Sequence, residues 1–135
     1  MGLLAEVGAR LLAAGVAGTS GTATGSVWPL RYRGLPPTPS RCVAVTLSGG
    51  FAPEGKAPLD RPTFQVLVRG STSDGVTLEQ KVEAVSTALH ARSTAFTTWT
   101  WVDVQRQGDA LWLGWDDGQR PMYSVNFAAL RSRTS

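Results

Sequence analysis

The sequence predicts an α+β fold in which a mostly antiparallel β-sheet carries two α-helices on one face. Two segments have apolar residues at helical spacing, and six short segments bounded by turn residues are typical of strands. The strands come in two runs of three with short links, which favours antiparallel pairing. The predicted order is α-β-β-β-α-β-β-β, and residues 1–135 are expected to form a single domain.

The N-terminal segment has the periodicity of a helix with one apolar side. Glu6 and Arg10 stand four residues apart on another side, in the order that stabilises a helix. Gly15 is expected to end the helix, and the small polar residues 18–26 are expected to form a mobile loop. The apolar stripe consists of Leu3, Leu4, Val7, Leu11 and Leu12.

Three strands are predicted before the second helix. The first covers residues 27–33, where Pro29 confines it to an edge or a bulge. In residues 42–48 the larger apolar side chains occupy alternate positions, and the two glycines that follow are expected to end this strand. Residues 51–61 contain two prolines and a glycine and are predicted to be irregular, and the third strand covers residues 64–69.

Thr77 is the predicted N-cap of the second helix, because Gln80 stands three residues later, as in a capping box. His90 is expected at its C-terminal end, where an imidazole interacts favourably with the helix dipole. The apolar side of this helix is formed by Leu78, Val82, Val85 and Leu89. Three further strands are predicted at residues 96–107, 110–115 and 122–130.

Residue types that carry chemistry are few. The single cysteine, Cys42, excludes an internal disulfide framework and a cysteine-based zinc cluster, and it is expected to fill space in a strand. The glycine-rich run lacks the Lys-Ser/Thr ending of a phosphate loop. The late aspartates are assigned mainly to turns, where their carboxylates bond to the local backbone. The sequence therefore predicts no catalytic residue, no metal site and no cofactor; the aspartates are Asp103, Asp109, Asp116 and Asp117.

The five tryptophans leave two interpretations open. Trp99 and Trp101 must share one face of a strand, whereas Trp112 and Trp115 would point to opposite faces of a regular strand. Helices cover only one face of the predicted sheet, so some of these rings are expected on the uncovered face. Such rings either form an association surface for a protein partner or are merely core and partly exposed strand residues.

Charge and hydropathy restrict the partners. The net charge is +3 from 13 basic and 10 acidic residues, and the basic residues are scattered instead of concentrated. No window approaches the ~20 apolar residues of a membrane span, so we expect a soluble chain with no membrane partner. A small nucleic-acid-binding module that uses aromatic rings with Arg131 and Arg133 is a less favoured alternative.

Three segments in this order and spacing resemble the tail terminator (minor capsid, tail-completion) proteins of long-tailed bacteriophages. The first is VAVTLSGG at residues 43–50, and the second is RPTFQVLVRG at residues 61–70, followed by a helix that ends in Ala-Leu-His. The third is RPMYSVNF at residues 120–127. The similarity extends over nearly the whole chain.

This resemblance implies a structural role. Proteins of that family form a ring, usually a hexamer, that sits on the last ring of the tail tube and stops its growth. The other face of the ring meets the head–tail connector or stopper protein, and DNA passes through the lumen without sequence-specific binding. The implied location is the tail or neck of the virion, after assembly in the host cytoplasm. The main alternative is another neck protein, such as a head-completion or stopper subunit.

Two sets of residues are candidates for protein interfaces. The first set is expected on a flexible arm that becomes ordered when it docks onto another protein. The second set is expected to contribute to contacts between subunits or with the tube. The arm candidates are Phe51, Lys56 and Arg61. The aromatic candidates are Trp99, Trp101 and Trp112.

Overall fold

The computed structural model describes residues 3–19, 21, 23, 27–51, 59–90, 94, 95 and 99–133, and it gives the backbone alone at 49–51, 59, 60, 94, 95, 99 and 133. These residues form two helices and an eight-stranded sheet, which confirms the predicted α+β class. The loop predicted at residues 18–26 lies largely outside the described residues. No described helix combines the length and the apolar character needed to cross a membrane.

Helix α1, Leu3–Ala13, forms where the apolar stripe predicts it. Val7 and Leu11 are fully buried against the sheet. The helix ends before Gly15, which has a φ of 72° that favours glycine. The amide of Val16 then donates to the carbonyl oxygen of Leu11 at 3.1 Å, so the end of the helix retains a backbone partner.

Helix α2, Gly75–Leu89, begins three residues earlier than predicted, and the expected N-cap at Thr77 is wrong. The N-cap is Asp74, whose carbonyl oxygen accepts a hydrogen bond from the Leu78 amide at 2.7 Å. The Asp74 carboxylate accepts two hydrogen bonds from the Arg41 guanidinium, at 2.7 and 2.8 Å, and one from the Ser71 amide. This distant arginine fixes the start of the helix, and a local capping pattern cannot reveal it.

The eight strands pair in the order β1-β2-β3-β4-β8-β6-β5, and β7 pairs with β8 beside the end of β6. The β1–β2 and β2–β3 pairs are parallel and the others are antiparallel. The two-residue strands β1 and β5 were not predicted from the sequence. The bounds are β1 Ala17–Gly18, β2 Trp28–Tyr32, β3 Cys42–Phe51, β4 Leu59–Arg69, β5 Thr94–Ala95, β6 Trp99–Arg106, β7 Leu111–Trp115 and β8 Pro121–Arg133.

The prediction that residues 51–61 are irregular is wrong at both ends. Strand β3 continues through its two glycines to Phe51, and β4 begins at Leu59. The register shifts between Leu47 and Gly50, and Phe51 then pairs with Arg61. Pairing with β3 and the long β8 keeps these segments extended, so tertiary pairing overrides the local turn residues.

The core lies between the helices and one face of the sheet. Alternate residues of the central strands point into it, as the sequence predicts, because side chains of a strand alternate between faces. The Phe64 and Phe127 rings stack at a centroid distance of 5.2 Å, and the Phe64 and Trp101 centroids are 6.1 Å apart. The other fully buried strand residues of this layer include Val43, Val45, Val66, Val68, Val104 and Val125.

The ion pair of Asp74 with Arg41 predicts an acid-dependent loss of stability. The hydrogen bonds from Arg41 lower the pKa of Asp74 well below its usual range, so the stabilisation is present above about pH 4 and is lost as pH falls below it. We expect Asp74→Asn to cost about 1 kcal/mol at pH 7 and less at pH 3. Urea unfolding at both values measures this, with the exposed turn variant Asp117→Asn as the control. An equal cost at both pH values would contradict the prediction.

Candidate protein-interaction surface

Strand β7 exposes large apolar side chains at a margin of the sheet. Among the described strands it pairs with β8 alone, so its other side is open. Val76, in the first turn of α2, is 71% exposed nearby. Apolar patches of this kind mark association surfaces. The exposed residues of β7 are Leu111, Trp112, Leu113 and Trp115, with exposed fractions between 46% and 55%.

Trp112 and Trp115 lie on the same side of β7, contrary to the prediction for a regular strand. The register with β8 shifts between Trp112 and Gly114, so Leu113 is an extra residue in the strand. Gly114 has a φ of 89°, which a β-bulge of this kind requires. The two indole rings therefore meet edge to face, with centroids 5.5 Å apart, and Trp112 also meets Tyr123 at 5.2 Å.

A groove runs between the first turns of α2 and the β7–β8 hairpin. Its apolar part is a cavity of about 510 Å³ lined by Val76, Trp112, Trp115 and Tyr123. A second cavity of about 300 Å³ is lined by charged residues and shares Glu79 and Tyr123 with the first. We call these two neighbouring cavities together the Trp112 groove. The charged residues of its second part are Glu79, Glu83, Arg106 and Asp109.

Asp116 shapes the turn that closes the hairpin. One carboxylate oxygen accepts the amides of Gly118 and Arg120, each at 2.9 Å, and the other accepts the Arg120 guanidinium at 2.8 Å. Desolvation raises the pKa of Asp116, but these hydrogen bonds and the Arg120 charge outweigh it and lower the pKa overall. The prediction that this aspartate bonds to its own turn is confirmed.

A buried arginine connects this hairpin to the loop before β3. The Arg69 guanidinium donates to the carbonyl oxygens of Pro36, Pro39 and Ser40 at 2.6 to 3.0 Å. Arg120 donates to the carbonyl oxygen of Pro37 at 2.6 Å. Arg69 also lies 3.8 Å from Asp116 of the hairpin turn, so both arginines connect the hairpin that carries Trp112 to this loop.

The aromatic candidates from the sequence are separated in the structure. Trp112 lies in the Trp112 groove and is half exposed. Trp101 is fully buried in the core, and its indole N–H donates to a carboxylate oxygen of Glu6 at 2.7 Å. In this chain Trp101 presents no surface to a partner. The Trp99 side chain lies outside the described residues.

The arm candidates are only partly described. Arg61 is exposed on β4, beside a separate cavity of about 310 Å³ that Asp103 and Gln105 also line. Strand β8 separates β4 from β7, so Arg61 and Trp112 do not belong to one site. Lys56 and the Phe51 side chain lie outside the described residues.

Sequence reasoning missed four side chains that surround Trp112 in the apolar part of the Trp112 groove. Gly114, a glycine inside a strand pattern, was the available signal for the bulge that turns Trp115 toward Trp112. Nothing in the sequence signals that α2 and β7 adjoin, because this depends on tertiary packing. The missed residues are Val76, Glu79, Trp115 and Tyr123.

The cysteine, the histidine and one buried lysine are each buried or hydrogen-bonded within the fold. Cys42 is fully buried, as the prediction of a space-filling residue requires, and desolvation raises the pKa of its thiol. His90 follows the last residue of α2, and its Nδ1 accepts the Arg106 amide at 3.0 Å. Burial lowers the pKa of Lys81 to about 8, and its ammonium donates to the Val16 carbonyl oxygen at 2.8 Å. Within the described residues no three His, Cys, Asp or Glu side chains are grouped as metal ligands.

The exposed apolar side chains of the Trp112 groove are typical of proteins that contact other proteins. A family model described as bacteriophage tail terminator protein matches residues 11–132. The chain therefore belongs to the bacteriophage tail terminator family, which confirms the resemblance seen in the sequence. As a member of this family it is a structural protein of the virion tail.

Two solved structures share the fold. One is a chain from the structure titled "Virion of native gene transfer agent (GTA) particle", with a TM-score of 0.68 and 19% identity over 98% of this chain and 95% of that chain. A second solved chain has a TM-score of 0.51 and 12% identity over 99% of this chain and 98% of its own length. At these identities the likeness concerns the fold alone. No match was found among the curated proteins that were compared.

Proposed function

We propose that the chain forms a ring, expected to be a hexamer, that caps the tail tube, stops its polymerisation and offers a docking face to the head–tail connector or stopper protein. The observation that carries this proposal is the tail terminator match over residues 11–132. DNA passes through the lumen of the ring without sequence-specific binding. The proposed role is entirely one of binding, with no catalytic residue and no cofactor.

The physical requirements of such a cap favour a head-to-tail ring. A terminator must match the end of the tube on one face and must not offer the same face again, or the tube would continue to grow. Head-to-tail contacts around a rotation axis close into a ring with two different faces. The exposed apolar side chains of the Trp112 groove are suited to such protein contacts.

A tube-growth assay tests the proposed function. Purified tail tube protein is polymerised with and without this chain, and tube lengths are measured by electron microscopy. We expect capped tubes to stop growing when further tube protein is added, with density for this chain at one end. Tubes that continue to grow at an unchanged rate, with no bound chain at their ends, would overturn the proposal. Binding to a head connector but not to tubes would instead indicate another neck protein.

The β3–β4 connection is the proposed docking arm. Phe51 is the last residue of β3 and pairs with exposed Arg61, and Lys56 belongs by its sequence position to the connection between the two strands. We expect Phe51→Ala with Lys56→Ala to weaken binding to tube ends about tenfold or more, because interface aromatic anchors commonly contribute over 1 kcal/mol. A pull-down on isolated tubes measures the binding.

The control for this arm prediction is the double variant Val102→Ala with Gln107→Ala. It removes one apolar and one polar side chain at exposed positions on and just after β6, which β8 separates from β4. Both double variants should retain the thermal unfolding midpoint of the unchanged chain. Equal tube binding by the arm variant and the control would show that these two side chains do not dock.

A further inference from the structure

We propose that the Trp112 groove of one subunit receives the β2 margin of the next copy of this chain, so that one repeated contact builds the ring. This inference rests on the proposed ring function and adds the two surfaces that meet. We define the β2 margin as the surface formed by Leu12, Arg31, Tyr32 and Arg33. Four observations support the pairing: the charges, the open strand sides, the exposed apolar residues and the symmetry of the contact.

The two surfaces carry opposite charges. The Trp112 groove contains the exposed carboxylates of Glu79 and Glu83. Asp109 at its rim lies 3.6 Å from Arg106, so these two charges offset each other and the groove keeps an excess of two carboxylates. The β2 margin carries Arg31 and the exposed Arg33. In the first fifty residues of the chain the one acidic residue is Glu6, which is fully buried, so no carboxylate from this part of the chain offsets those arginines at the surface. Complementary charges of this kind steer association and fix its register.

The two surfaces lie toward opposite edges of the sheet. Each includes a strand that lacks a described neighbouring strand along part of one edge. Strands β3, β4 and β8 separate β2 from β7. The short β1 pairs with β2 only at Trp28 and Pro29. Residues 30–32 pair with β3 along one edge, and their other edge, which faces away from β3, has no partner among the described strands. Strand β7 is likewise paired on one side among the described strands. Open strand sides attract other chains unless they are covered, and a neighbouring subunit covers both here.

The β2 margin also carries apolar side chains suited to an aromatic groove. Tyr32 is 46% exposed and its hydroxyl rests against Gly8 of α1. Leu12 is 39% exposed and stands one helical turn beyond Gly8, on the same side of α1 as the residue that the Tyr32 hydroxyl contacts. Tyr32 and Leu12 therefore provide the apolar centre of the contact, and Arg31 and Arg33 provide the charged rim, as in other protein interfaces.

Symmetry selects this contact over a two-fold contact between two grooves. Two Trp112 grooves facing each other would bring Glu79 and Glu83 close to their own copies, and like charges that face each other in an interface disfavour association. Two β2 margins facing each other would oppose arginines in the same way. The groove-to-margin contact avoids both, and because it joins two different surfaces it propagates around a ring.

A charge-exchange experiment tests the contact. One variant carries Glu79→Arg with Glu83→Arg, a second carries Arg31→Glu with Arg33→Glu, and a third carries all four changes. Self-association is measured by analytical ultracentrifugation and, on isolated tail tubes, by chemical cross-linking of neighbouring copies. We expect each double variant to associate roughly tenfold or more weakly than the unchanged chain. The fourfold variant, and an equimolar mixture of the two double variants, should recover association.

The outcomes separate this inference from the proposed function. A fourfold variant that fails to recover, while the unchanged chain still stops tube growth, overturns the contact and leaves the cap intact. The proposed contact is also overturned if the variant Glu79→Arg with Glu83→Arg still forms rings but no longer binds tubes. The groove would then face the tube and not the next subunit. If the fourfold variant forms rings again but neither it nor the unchanged chain stops tube growth, the contact is supported and the proposed function is contradicted. A chain that remains monomeric both in solution and on tubes overturns both.

Discussion

Replacement of Trp101 by alanine is expected to lower the free energy of unfolding by about 3–5 kcal/mol, the range for removing a large buried aromatic side chain. Trp101 is fully buried, and its ring lies 6.1 Å from that of Phe64. Its indole N–H also donates to the buried Glu6 carboxylate at 2.7 Å. The variant therefore leaves a cavity and also removes one hydrogen-bond donor from this buried carboxylate. For a domain of this size such a loss is a large share of the total stability. Urea unfolding measured by circular dichroism tests this.

Two further variants separate the cavity from the lost hydrogen bond. Trp101→Phe keeps much of the ring volume but removes the indole donor, and we expect it to cost about 1–3 kcal/mol. Adding Glu6→Gln to Trp101→Phe removes the buried charge as well. The Arg131 guanidinium, 3.3 Å from the Glu6 carboxylate, is then left beside a neutral group, so we expect no rescue. An unfolding midpoint of Trp101→Ala equal to that of the unchanged chain would contradict this account of the core.

The core could be predicted from the sequence because alternation within a strand is a local property. Val43, Val45, Phe64, Val66 and Val68 point inward as their spacing indicates. Local patterns failed where a distant partner decides the structure. The cap at Asp74 depends on an arginine 33 residues away, and the extension of β3 and β4 depends on pairing across the sheet.

The candidate surface was predicted only in part, because exposure depends on the final packing. Trp101 and Trp112 are both tryptophans in apolar strands, and the sequence does not distinguish the buried ring from the exposed one. The structure separates them because Trp101 faces the layer beneath α1 and α2, where it meets Glu6. Trp112 lies on β7 at the margin of the sheet, and a bulge that begins after it brings Trp115 to the same side.

Replacement of Trp112 by alanine is expected to differ from Trp101→Ala in its profile: a smaller loss of stability and a large loss of assembly. The ring is half exposed, so its removal leaves little cavity, although its edge contacts with Trp115 and Tyr123 contribute about 0.5–1.5 kcal/mol each. In the proposed ring the same side chain lies at the apolar centre of the subunit contact. Truncation of such an anchor commonly costs 2 kcal/mol or more, which is about a thirtyfold loss of affinity.

Analytical ultracentrifugation and tube-end cross-linking measure this loss, with circular dichroism to show that the fold is retained. Val102→Ala is the matched control, since Val102 on β6 is exposed to a similar degree and lies outside the Trp112 groove. A conservative Trp112→Phe variant should recover part of the association, because an aromatic ring again occupies the groove. If Trp112→Ala assembled as tightly as the Val102→Ala control, the exposed rings of β7 would not be the contact that holds the ring together.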